Sequence, residues 1–176
     1  MDCLTTLIIG GCRSGKSRLA VTMGDAMPAR RKWFVATCQP QDAEMVERVR
    51  HHQEERGPDW HTIEAPLELT EAVAQHSGHN DLVLIDCLTL WASNLMMTCN
   101  DAAIWHHVDQ LCKWLGAPPC QVILVTNEVG GGIVPENAVA RRYRDLVGRL
   151  NQQIAAASQR VIWMVAGIAV TIKPGR

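Results

Sequence analysis

The sequence predicts an α/β fold with a mainly parallel central sheet, and three observations carry that prediction. Short apolar runs alternate with amphipathic segments along the chain, the pattern expected when strands are joined by crossover helices. At one junction, Leu7-Ile8-Ile9 leads into Gly10-Gly11-Cys12-Arg13-Ser14-Gly15-Lys16-Ser17, a G-x-x-x-x-G-K-S string, and then into a helical segment. A later run, Leu82-Val83-Leu84-Ile85, ends on Asp86. That puts a carboxylate at the carboxyl end of a buried strand, where such sheets form their ligand crevice.

Taken in order, strands are expected at Leu4–Ile9, Lys32–Ala36, Leu82–Ile85, Gln121–Thr126 and Val161–Val165. Only Ala166-Gly167 separates the last of these from the run Ile168–Ile172. A two-residue link makes a hairpin, so the final strand is expected to be antiparallel. Helices are expected at Lys16–Met27, Asp42–Arg56, Pro66–Gln75, Leu88–Met97, Ala102–Leu115 and Asn137–Ser158. In the last, Val139, Tyr143, Leu146, Val147, Leu150, Ile154 and Ala157 follow three- and four-residue spacing. Arg141, Arg142, Arg144 and Arg149 lie off that stripe and read first as a solvated face, with phosphate or subunit contacts as the alternative.

Composition narrows the function. The chain has 176 residues, 47% of them hydrophobic, which predicts one domain spanning 1–176 with a substantial core. A formal net charge of −1 argues against electrostatic binding of nucleic acid. Seven cysteines without a paired C-x-x-C spacing read as reduced thiols of a cytoplasmic protein, each most simply a small buried apolar residue. No signal peptide is visible, and no apolar stretch is long enough to span a membrane.

The glycine string carries the first chemistry. Glycines let backbone N–H groups turn inward around phosphate oxygens, and the helix that follows adds its positive end. Gly10, Gly11, Cys12, Arg13, Ser14, Gly15, Lys16 and Ser17 are therefore the expected nucleotide cradle. Lys16 would neutralise the β- and γ-phosphates, and Ser17 would offer a hydroxyl to Mg²⁺. Asp86 is the expected partner of Ser17 on that ion; the other reading is an N-cap for the helix starting at Leu88. With these parts the fold becomes a three-layer sheet of the P-loop NTPase type.

Two further features are less specific. If residues 42–56 are helical, His52 falls on the apolar stripe with Met45 and Val49, while His51 falls on the polar one with Glu47 a turn behind. A carboxylate there would orient His51 as a nucleophile toward phosphorus, although a surface histidine with a salt-bridging neighbour fits the same pattern. Thr126 to Pro135 follows the fourth strand with a polar cluster and three glycines. It is expected at the site rim, either as a substrate contact or as a flexible loop. Trp60 is expected in a connecting segment, lining a pocket, whereas the other tryptophans read as core or interface.

Several segments in order, namely Gly10 to Ser17, Val35-Ala36-Thr37, Arg50-His51-His52, Asp86-Cys87-Leu88-Thr89, Thr126 to Gly130, Gly132 to Asn137 and Val165-Ala166-Gly167-Ile168, give the chain a resemblance to a known family. It resembles the bifunctional adenosylcobinamide kinase / adenosylcobinamide-phosphate guanylyltransferases of cobalamin biosynthesis, from about residue 4 to residue 173. The resemblance implies phosphorylation of adenosylcobinamide by ATP or GTP, then transfer of GMP from GTP through a GMP-histidine intermediate at His51. It also implies nucleotide contacts at Ala36, Thr37 and Cys38, at His52, Gln53, Glu54 and Glu55, and at Glu64 and Asp86. At Cys38 serine is common in the family, so only a backbone contact carries over. A homotrimer is implied as well. The competing expectations are a P-loop small-molecule kinase without guanylyl transfer and a nucleotide-dependent switch protein; the missing N-K-x-D pattern counts against the latter.

Overall fold

The structure is a computed structural model that describes residues 3–38, 47 and 56–175. Seven strands form one sheet: β1 (Thr5–Gly10), β2 (Lys32–Ala36), β3 (Trp60–Glu64), β4 (Leu82–Asp86), β5 (Gln121–Asn127), β6 (Arg160–Val165) and β7 (Ile168–Lys173). The described helices are α1 (Lys16–Ala26), α2 (Leu69–His76), α3 (Leu88–Thr98), α4 (Asp101–Gly116) and α5 (Ala138–Ala157). The strand order is β3-β2-β4-β5-β1-β6-β7, and every pair is parallel except β6 with β7.

Alternation along each strand splits the core in two. Leu7, Val35, Val83, Ile85, Val122 and Leu124 face α2, α3, α4 and α5, whose buried stripes include Leu69, Trp91, Leu111 and Leu150. Ile8, Phe34, Leu82, Leu84, Ile123 and Val125 face the other way, where Ala20 of α1 packs. Both faces of the central strands are covered, which is why these strands read as continuous apolar runs rather than alternating ones. The layering and the antiparallel terminal strand match the expected fold class. Ala166 (φ 50°) and Gly167 (φ 83°) turn the β6–β7 hairpin, both left-handed as a tight two-residue turn requires.

The expected elements recur within a few residues of their ends. Asn137 caps α5 by accepting from the Val139 and Ala140 N–H groups, and Asn100 caps α4 through Ala103. The helix expected over 42–56 falls mostly outside the described residues; Glu47 is helical, and Arg56 lies in a bend.

Two expectations are corrected. Trp60 begins edge strand β3 rather than lying in a connecting segment, and it is a core residue rather than a pocket wall. Its ring packs over Gly24, where an added Cβ would sit 2.7 Å from the ring carbons, and its indole N–H donates to Asp25 Oδ1 at 2.8 Å. The cysteines are all unbridged, but they are not uniformly buried: Cys120 is buried, and Cys12 is exposed in the glycine loop.

Candidate active site

The glycine loop leaves β1 at Gly10 and enters α1 at Lys16. Gly10 has no room for a side chain, because a Cβ there would collide with the Met164 carbonyl on β6. Gly15 holds φ 90° at the N-cap of α1, a conformation that suits glycine, and no side chain caps the helix. No N-cap side chain therefore takes the first N–H groups of α1, the groups that a helix start offers to an anion. Arg13 is also left-handed, at φ 54°, a cost usually tolerated where the surrounding structure fixes a functional turn.

Lys16 is only 6% exposed. Its ammonium donates to the Gly11 carbonyl at 2.6 Å and to Ser14 Oγ at 3.4 Å, bridging the loop. Burial pushes its pKa below the ordinary lysine value, and the nearby Asp86 charge acts against that shift. Ser17 and Asp86 line one cleft of about 330 Å³ together with Arg18, Phe34 and Arg56. The structure thus brings together Lys16, Ser17 and Asp86, as the sequence predicts.

Arg56 was not singled out by the sequence. Its guanidinium carbon lies 3.4 Å from the centroid of the Phe34 ring, a stacked cation–π contact. Burial lowers its pKa, and Asp86 again opposes the shift. No short motif marks such a residue. The only signal was its position, four residues after the paired histidines and just before Gly57-Pro58.

The remaining expected contacts fall in register at the strand ends. Ala36 pairs with both Glu64 and Asp86, so β3, β2 and β4 end side by side. Thr37 is fully buried, and its hydroxyl donates to the Cys87 carbonyl at 2.7 Å while accepting from the Cys87 N–H at 3.0 Å. That hydroxyl ties the end of β2 to the end of β4 and so braces Asp86. Burial raises the Cys38 thiol pKa, and it pushes the Cys87 thiol up to about 11. Both thiols stay protonated near neutrality and are poor nucleophiles. His51, His52, Gln53, Glu54 and Glu55 lie outside the described residues.

The loop after β5 is held from outside. Arg144 donates to the carbonyls of Gly132 and Ile133 at 3.1 Å and to that of Gly130, and Arg141 donates to the carbonyls of Pro135 and Glu136. Arg142 pairs with Asp101, and Arg149 stacks on Trp105. Arg141, Arg142 and Arg149 are exposed, as expected of a solvated face, and Arg144 is half-buried; the carbonyl contacts are an addition to that expectation. A glycine-rich loop leaves carbonyls that neither helix nor strand satisfies, and a forked guanidinium reaches several at once. Among the described residues no cluster of three or more His, Cys, Asp or Glu could hold a metal ion, and no helix is long and apolar enough to cross a membrane.

The fold is similar to that of solved proteins of distant sequence. One is a Pyrococcus horikoshii OT3 protein (TM-score 0.60, 9% identity, covering 100% of this chain and 89% of that one). Another is a prototypical ATPase from the type III secretion system of pathogenic bacteria (TM-score 0.61, 11% identity, covering 96% of this chain and 56% of that one). Sequence relatives are much nearer. The bifunctional adenosylcobalamin biosynthesis protein CobU of Salmonella typhimurium is 40% identical over 181 residues, spanning 95% of this chain and 98% of its own. The bifunctional adenosylcobalamin biosynthesis protein CobP of Pseudomonas aeruginosa is 39% identical over 167 residues, spanning 95% and 96%. The model of one family, described as cobinamide kinase / cobinamide phosphate guanyltransferase, matches residues 6–172. With Ser17 and the strand-end Asp86 on one cleft, a buried Lys16 within reach of the Asp86 charge, a family model matched over residues 6–172 and relatives matched over 95% of its length, the chain belongs to the cobinamide kinase / cobinamide phosphate guanyltransferase family.

Proposed function

We propose that this chain is a cytoplasmic transferase of cobalamin biosynthesis, one catalytic domain over residues 1–176, that carries out two reactions in succession. It phosphorylates the hydroxyl of the aminopropanol arm of adenosylcobinamide with ATP or GTP. It then transfers GMP from GTP to the new phosphate, releasing pyrophosphate and giving adenosylcobinamide-GDP. The observation that supports this reading is the single cleft shared by Ser17 and Asp86 beside the Gly10–Ser17 loop and Lys16, in a chain matched by that family over residues 6–172.

Phosphoryl and nucleotidyl transfer depend mainly on positioning and charge neutralisation. The loop N–H groups and the amino end of α1 hold phosphate oxygens. Lys16, kept from water, adds a positive charge whose effect is larger for its burial. Ser17 and Asp86 offer hard oxygen donors on one cleft wall, the chemistry Mg²⁺ prefers, with waters and phosphate oxygens completing its shell. When bound, Mg²⁺ neutralises charge on the polyphosphate. Arg56, stacked on Phe34, adds a second fixed cation to the same cleft.

His51 is the proposed nucleophile of the second reaction. A ring nitrogen bonds to the α-phosphorus, and the bond to pyrophosphate breaks. The cobinamide phosphate oxygen then attacks the same phosphorus and frees the ring. Ala36, Thr37, Cys38, His52, Gln53, Glu54, Glu55 and Glu64 complete the proposed nucleotide contacts. A homotrimer is proposed for the assembly. Trp163, Val165, Ile168 and Val170 lie paired across the β6–β7 hairpin as an exposed apolar surface that a neighbouring copy would cover.

The test is a product assay. Purified protein with Mg²⁺, adenosylcobinamide and ATP should yield the phosphate ester, and added GTP should convert it to adenosylcobinamide-GDP with one pyrophosphate released. A product that stops at the phosphate would reduce the function to a single-activity kinase. Nucleotide binding with no transfer at all would favour the switch reading.

A further inference from the structure

The kinase reaction needs a group to take the proton from the substrate hydroxyl, a role not yet assigned to any described residue. The geometry points to Glu128 as that base, an assignment that rests on the proposed kinase activity. Strand β5 lies between β1 and β4 in the sheet, so its carboxyl end emerges between the phosphate loop and Asp86. Asn127 pairs with Gly10, and the Glu128 N–H donates to the Gly10 carbonyl at 3.0 Å. The backbone of Glu128 is thereby joined to the first residue of the phosphate cradle.

The side chain is also positioned. Glu128 is exposed, and its Oε1 accepts from the Gly130 N–H at 2.5 Å, while the Gly130 carbonyl is gripped by Arg144. Gly130 makes this possible: a Cβ there would stand 2.7 Å from Glu128 Oε1. One carboxylate oxygen is anchored at the rim, and the carboxylate as a whole stays accessible from solvent, the side from which a bulky corrinoid must approach.

Among the described residues, three other carboxylates near the sheet are worse placed. Glu64 ends β3, four strand positions from β1 in the sheet order, or roughly 19 Å at ordinary strand spacing. Asp25 accepts the Trp60 indole. Asp86 faces Lys16 and Arg56 from inside the cleft, and it is the proposed metal ligand.

In the step, the hydroxyl proton passes to the Glu128 carboxylate as the hydroxyl oxygen bonds to the γ-phosphorus. The bond from that phosphorus to the β–γ bridging oxygen breaks, and its electron pair leaves with the nucleoside diphosphate. Glu128 then returns its proton to water. The second reaction has no such requirement, because its acceptor is already an anionic phosphate. The two reactions of one enzyme therefore depend differently on this carboxylate.

That difference is the test. Full-length protein is assayed for phosphate transfer from γ-labelled ATP to adenosylcobinamide, and separately for guanylyl transfer from α-labelled GTP to supplied adenosylcobinamide phosphate. For Glu128→Gln, kcat of the first reaction should fall roughly 10²–10⁴-fold, while the second stays within about threefold. Gly130→Ala displaces the carboxylate by moving only the flexible end of a side chain, so it should lower the first reaction about tenfold and spare the second. Retention of the first reaction by Glu128→Gln, or parallel loss of both in both variants, would overturn the assignment. Failure of the wild-type protein in both assays would instead overturn the proposed function, and the assignment with it.

Discussion

Two aspartates bracket the same strand, and their surroundings differ in every respect that matters. Asp81 stands just before β4 and is 1% exposed. Its carboxylate accepts from Arg30 Nε at 3.1 Å, from the Trp33 indole at 3.2 Å and from the Gly78 N–H at 3.0 Å. Burial would raise its pKa, but those donors outweigh it and hold the carboxyl below its ordinary value. Asp86, at the other end, lines the cleft, and its field acts on Lys16 and Arg56. One charge is saturated by donors that staple the amino end of the sheet; the other is directed at cations around a ligand site. One strand thus carries a carboxylate that holds the fold at one end and, at the other, the carboxylate proposed to serve chemistry.

The largest effect should come from neutralising the second. Asp86→Asn is expected to lower kcat/KM of both transfer reactions by about 10²–10³-fold, with little change in the urea midpoint. Asp81→Asn should do the reverse. It removes the charge from a set of buried hydrogen bonds and should cost about 1–3 kcal/mol in urea unfolding, while kcat stays near that of the wild type. A variant at Asp81 that abolished activity in a fully folded protein would erase the distinction.

Acid sharpens the comparison. The folded pKa of Asp81 is depressed, so its stabilisation is fully present above the unfolded value of 3.8 and is lost as pH falls through the lower folded value. Urea midpoints measured on the acid side of 3.8 should therefore drop more steeply with falling pH in the wild type than in Asp81→Asn. A smaller effect is expected at the brace of Asp86. Thr37→Val removes both hydrogen bonds to Cys87 and should cost about 1–2 kcal/mol, whereas Thr37→Ser should recover most of it. If the brace also orients Asp86, the valine variant will lose kcat more than it gains in KM, and serine will rescue that as well.

Asp86 was legible in the sequence, and Asp81 was not. A carboxylate that closes an apolar run after a phosphate-loop string announces itself. One that precedes the run looks like any loop residue until Arg30, Trp33 and Gly78 are seen around it. The same divide runs through the rest of the molecule. Gly10–Ser17 could be read because adjacent residues supply the whole device. Strand β3 was missed because it lies at the sheet edge and buries only Trp60 and Ile63, leaving no run or clean alternation. The grip of Arg141 and Arg144 on the loop was not foreseen, because the carbonyls they hold lie several residues back in the chain. Glu128 gained meaning only from the strand order, which sets β5 between β1 and β4.

The most direct test of the whole account uses GTP labelled at the α-phosphate. Incubated with the protein and Mg²⁺, it should leave a covalent label that is labile to acid and stable to alkali, as a phosphoramidate is, and that disappears in His51→Ala while nucleotide still binds. Absence of that label from active wild-type protein, or its persistence in His51→Ala, would contradict the proposed nucleotidyl transfer.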